Sequence, residues 1–100
     1  MRKFRGNAPN ENEGWQEVGQ AVSDDIVWAL FEREQRNSHE WRTYKLISTG
    51  LCPGKANYWF AKNLRTGQLG YARDLAILRA GRPALHEKVE QILSSREGAV

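Results

Sequence analysis

The sequence is poor in residues that cross-link a domain or hold a metal. Its 100 residues include one cysteine, Cys52, and two histidines, His39 and His86. A single cysteine excludes an intrachain disulfide and a cysteine-rich zinc site. Neither histidine has carboxylates at ligand spacing, so no metal and no other cofactor is expected. Long apolar runs are also missing. The longest nearly apolar stretch, residues 26–31, has six residues, against the roughly 20 that span a bilayer. Residues 1–9 are basic but lack the apolar segment of a secretory signal. A reducing cytoplasm is the expected compartment, and no membrane partner is expected.

Catalytic patterns are lacking too. Cys52 precedes Pro53 in a Gly-rich loop, with no base or orienting group in a recognisable motif around it. The loop from Gly50 to Lys55 resembles a phosphate-binding loop only superficially. Its glycine spacing is one residue short, and Ala56 stands where Ser or Thr is required. The acidic pair Asp24-Asp25 is accounted for by a helix start. With no triad, no sheltered carboxylate pair and no cofactor fingerprint, the chain reads as a non-catalytic protein.

What is present is an ordinary globular composition, 40% apolar, with four tryptophans and nine glycines. The length suits one small domain. Residues 1–14 read as a flexible tail, 15–96 as the domain and 97–100 as a frayed end. The formal charge of +3 hides a split. Residues 1–40 hold five bases and eight acids, whereas residues 41–100 hold ten bases and four acids. Between residues 42 and 82 eight bases face a single acid, Asp74. Such asymmetry points to an anionic partner without specifying the fold.

The periodicity predicts an α+β fold: an N-terminal helix, a three-stranded antiparallel sheet with a β-hairpin, and two C-terminal helices packed on one sheet face. Residues 15–22 have the spacing of a short helix weakened by Gly19. Ser23 reads as the cap of a helix over 24–36, with Asp24 and Asp25 in its first turn and Ile26, Val27, Leu30 and Phe31 as its stripe. A strand over 26–31 is the rival reading, because the run is continuous and partly β-branched. Strands are expected at 41–48, 57–64 and 68–73, with a turn at 65–67. Asp74 is expected to cap a helix over 75–80, and Pro83 to open a helix over 83–95. The expected core is Ile26, Leu30, Phe31, Leu46, Trp59, Ile77, Leu78, Leu85, Val89 and Ile92.

The hairpin carries the functional expectation. Side chains alternate along a strand, so Tyr58, Phe60 and Lys62 share one face and Trp59, Ala61 and Asn63 the other. A two-residue turn adds Leu69, Tyr71 and Arg73 to the first face; a three-residue turn moves Tyr71 beside Trp59, and the sequence leaves both registers open. If exposed, such a mixture of rings and cations is a platform for stacking bases. If covered by helices, the rings are core.

The leading reading is a small binding protein that contacts DNA or RNA through residues 41–82. Its candidate contacts are Arg42, Lys45, Lys55, Tyr58, Lys62, Arg65, Tyr71, Arg73, Arg79 and Arg82. The alternative is an adaptor or inhibitor of a larger machine, such as mobile elements encode, using Trp, Tyr and Arg as anchors. A homodimer is compatible with either reading. A helix-turn-helix regulator is a third reading, disfavoured by the short first helix and by the few base-reading groups at the start of the second.

Overall fold

The computed structural model describes residues 14–35, 37–49 and 58–98. The first elements among the described residues are two strands, β1 (Gln16–Ser23) and β2 (Ile26–Glu34), where an N-terminal helix was expected. The pairing of Ser23 with Ile26 leaves Asp24 and Asp25 as a two-residue turn. Both have positive φ, 55° and 62°, as a type I′ hairpin turn requires and as aspartate tolerates better than most residues. The features read as a helix cap are therefore a hairpin turn. The helical stripe is equally a strand with both faces apolar: Trp28 and Leu30 point one way, Val27 and Phe31 the other.

The remaining strands are β3 (Trp41–Ser48), β4 (Tyr58–Asn63) and the short β5 (Leu69–Gly70). All pair with their sequence neighbours, giving a five-stranded antiparallel meander in the order β1-β2-β3-β4-β5. Among the described residues, five strands thus replace the expected three. The β4–β5 turn spans four residues, 64–67. Asn63 organises it, its Oδ1 accepting from the amides of Arg65 and Thr66 at 3.0 and 2.9 Å, while Gly67 supplies the positive φ. Lys62 pairs with Leu69, so Leu69 lies on the face of Phe60 and Lys62.

The third expected strand, 68–73, stops early. Tyr71 adopts a left-handed conformation (φ 58°, ψ 37°) that turns the chain into α1 (Ala72–Gly81). Asp74 does not cap this helix. It sits in the first turn, and its Oδ2 accepts the Trp59 amide at 2.7 Å, tying α1 to β4. After Arg82, Pro83 opens α2 (Pro83–Gly98), a position where its missing N–H costs little. Among the described residues no helix is long and apolar enough to cross a membrane.

Both helices pack on one face of the sheet, α1 over β4 and α2 reaching β1. Trp28, Leu30, Tyr44, Leu46 and Phe60 meet Leu78, Leu85 and Val89 there, all buried. Tyr44 stacks on Phe60 at 5.0 Å and donates to Glu32 at 3.0 Å. Arg96, near the end of α2, grips both oxygens of Glu32 at 3.2 and 2.7 Å. Burial, aided by the Glu32 charge and hydrogen bond, pushes the Tyr44 phenol far above its usual value. At Gly19 a β-carbon would lie 2.9 Å from the Ile92 side chain, so glycine lets α2 approach β1.

The expected core needs three corrections. Phe31 and Trp59 lie on the other face of the sheet, and Ile77 points to solvent, 50% exposed. Trp28, Tyr44 and Phe60 take the central places.

Candidate nucleic-acid interface

The sheet face opposite the helices carries a second set of large side chains. The strand registers bring Phe31 and Arg33 of β2, Trp41, Thr43 and Lys45 of β3, and Trp59 and Ala61 of β4 to this face. Trp15, just before β1, folds onto it. Its indole meets that of Trp59 edge-on, with centroids 5.6 Å apart and planes at 79°, within the favourable range for aromatic pairs.

Two cations thread through these rings. The Arg33 guanidinium lies 4.3 Å from the centre of the Trp15 ring. Lys45 Nζ lies 4.4 Å from the same ring and 5.8 Å from both Phe31 and Trp59. These separations are attractive through the ring quadrupoles. They also explain how Lys45 tolerates an exposure of only 6%: its apolar stem is covered while its charge faces aromatic density. Trp59 remains 38% exposed.

Small residues lie against the rings, with Ala61 only 3% exposed. Ala61 and Gly70 pair across β4 and β5, and a β-carbon at Gly70 would lie 3.6 Å from the Trp41 ring. Trp41 therefore rests on a nearly flat patch of backbone. Towards β1 the face mixes apolar side chains, Val27 and Ile47 half-buried and Val22 57% exposed, with exposed Glu17 and Gln20, whose amide donates to the Glu17 carboxylate at 3.0 Å.

The ten residues singled out from the sequence are dispersed by this arrangement. Of those among the described residues, Lys45 alone lies on the open face. Tyr58 packs against Trp28 on the helix side, with ring centres 6.0 Å apart. Arg42 donates to the backbone oxygens of His39 and Trp41. Arg65 bridges to Glu40 at 3.0 Å in the β4–β5 turn. Lys62 and Arg79 line a groove between the helices and β4. Arg82 binds Asp24 at 2.9 Å and lies over Trp28. Tyr71 and Arg73 are exposed where α1 starts, and Lys55 lies outside the described residues, as does Cys52.

Trp15, Phe31, Arg33, Trp41 and Trp59 are not among the contacts expected from the sequence. The usable signal was alternation along 26–34. Read as a strand, it puts Phe31 and Arg33 on the face opposite Trp28 and Leu30.

Among the described residues, no group of three or more His, Cys, Asp or Glu side chains is arranged to hold a metal ion. In comparisons with known proteins, no family model, no curated protein and no solved structure matches this chain.

Proposed function

We propose that this protein binds single-stranded nucleic acid on the open face of its sheet. The observation that carries the reading is the company of Trp15, Trp41, Trp59 and Phe31 with Arg33 and Lys45 on one surface that no helix among the described residues covers. Unstacked bases offer π-faces to such rings, and base–aromatic stacking contributes about 1–3 kcal/mol per base. Duplex bases are already stacked and present only edges and phosphates, so a flat aromatic sheet favours single strands. The basic excess of residues 42–82, eight bases to one acid, supplies the long-range attraction.

A protein ligand is the second reading. It is favoured by the apolar margin at Val22, Val27 and Ile47, where tryptophan and arginine nearby would serve as anchors. Fluorescence anisotropy of labelled single-stranded DNA, RNA and duplex DNA, at two salt concentrations, separates the two. Binding of single strands that falls steeply with salt and weakens about tenfold or more in Trp59→Ala supports the proposal. No binding at low salt, or a preference for duplex, rejects it.

A further inference from the structure

The rings of the open face offer stacking surfaces, but a nucleic-acid strand also brings a phosphate charge with every nucleotide. The cations on that face are already engaged. Arg33 lies 4.3 Å from the centre of the Trp15 ring. Lys45 is only 6% exposed, with its Nζ among the rings of Trp15, Phe31 and Trp59. Glu17 adds a negative charge towards β1. Away from this face, Arg65, Arg82 and Arg96 each pair with an acid, and Lys62 and Arg79 line the groove on the helix side. The folded face is therefore better suited to stacking bases than to neutralising phosphates.

Further cations are joined to the chain on the tryptophan side. Residues 1–13 lie outside the described residues and join them at Gly14. Gly14 has a positive φ of 79°, and a β-carbon there would lie 3.5 Å from the Arg33 side chain. Trp15 follows directly and meets Trp59 edge-on. The point of attachment thus lies against the open face, across the sheet from α1 and α2. The attached segment carries Arg2, Lys3 and Arg5 around Phe4, while its two acids, Glu11 and Glu13, stand next to the attachment. Arg5 and Arg2 are nine and twelve residues before Gly14, a maximum reach of roughly 30–40 Å. Five strands spaced about 4.8 Å apart cover roughly 20 Å. The bases can therefore reach phosphates beyond either edge of the sheet.

We infer that Arg2, Lys3 and Arg5 contact the phosphate backbone of a single strand whose bases stack on Trp15, Trp41 and Trp59. The inference rests on the nucleic-acid reading and divides its work: rings hold bases, and the N-terminal cations hold phosphates. The long-range attraction of residues 42–82 acts before contact and needs no phosphate at hydrogen-bond distance.

The test follows the anisotropy of a labelled oligothymidylate of about 16 nucleotides across a salt series. The variant Arg2→Ala/Lys3→Ala/Arg5→Ala touches none of the contacts described for the sheet and helices. Its affinity at low salt should fall about tenfold or more, and its slope of log K against log salt should become shallower by about 2, three phosphates at about 0.7 each. Trp59→Ala should weaken binding with the slope kept. Adding Glu87→Lys and Gln91→Lys to the triple variant restores the net charge at exposed positions of α2 and should not restore the slope. An unchanged slope in the triple variant, or a slope recovered through the α2 charges, would overturn the inference and leave the stacking reading standing. No binding by the unaltered chain would overturn both.

Discussion

The two faces of the sheet are built from similar residues and have opposite fates. On the helix side Trp28, Leu30, Tyr44, Leu46 and Phe60 are sealed beneath α1 and α2. On the other side no helix among the described residues covers Trp15, Phe31, Trp41 and Trp59, and Arg33 and Lys45 run among their rings. Aromatic content therefore does not distinguish core from surface in this chain. The distinguishing feature is what accompanies the rings: on the covered face aliphatic side chains from the helices, on the open face cations and small residues. A covered ring contributes stability by leaving water. A ring on the open face keeps part of its surface in water, as Trp59 does at 38% exposure.

Substitutions on the two faces should accordingly separate stability from binding. The largest effect is expected for Phe60→Ala, which opens a cavity beside Tyr44 and should cost about 3–5 kcal/mol in urea unfolding. That is a large share of the roughly 5–15 kcal/mol typical of a domain. Trp59→Ala, which loses its edge contact with Trp15 and its approach to Lys45, should cost less, about 1–2 kcal/mol, and lower affinity for single-stranded DNA about tenfold or more. If Trp59→Ala unfolds the chain as readily as Phe60→Ala, the distinction between the faces fails.

Gly19→Ala tests the fit of α2 on β1. The added carbon meets Ile92 at 2.9 Å, and a loss of about 1–3 kcal/mol is expected from overpacking. Binding by the folded fraction should be unchanged. A smaller effect is expected from Arg65→Ala. Its bridge to Glu40 lies in the solvent-facing β4–β5 turn, so thermal stability should move by no more than about 0.5 kcal/mol.

A pH titration sharpens the comparison from the covered side. The folded-state value of the Tyr44 phenol is raised above 10.0, first by burial and then by Glu32. The unfolded chain therefore releases this proton more readily than the folded one. The associated stability is fully present below about pH 10 and is lost as pH rises beyond it towards the folded value. Ultraviolet titration of the three tyrosines should show Tyr44 ionising only as the fold opens, and Tyr44→Phe should remove that step. Ionisation of Tyr44 in the intact fold near pH 10 would contradict its placement.

The C-terminal half of the fold was legible because its signals are local. Aromatic and β-branched residues mark Trp41–Ser48, and Pro83 with Leu85, Val89 and Ile92 marks α2. The N-terminal half was misread because Ser23-Asp24-Asp25 serves a helix start and a type I′ turn equally well. A strand apolar on both faces also leaves the same continuous run as a helix. The candidate site was hidden by that error. With residues 26–34 taken as helix, Phe31 and Arg33 could not be aligned with Lys45 and Trp59. Alternation did place Phe60 and Trp59 on opposite faces, but which face the helices cover is a tertiary outcome that the hairpin does not encode.

The four tryptophans provide the most direct test of the central claim. Trp28 lies in the covered core, where its indole Nε1 has no hydrogen-bond partner among the described residues. Trp15, Trp41 and Trp59 lie on the open face. Titrating the isotope-labelled protein with oligothymidylate and following the four indole N–H signals compares both faces in one experiment. The account predicts saturable shifts for Trp15, Trp41 and Trp59, with Trp28 unmoved. Shifts at Trp28 and in the helices, with the three open-face indoles unchanged, would contradict it.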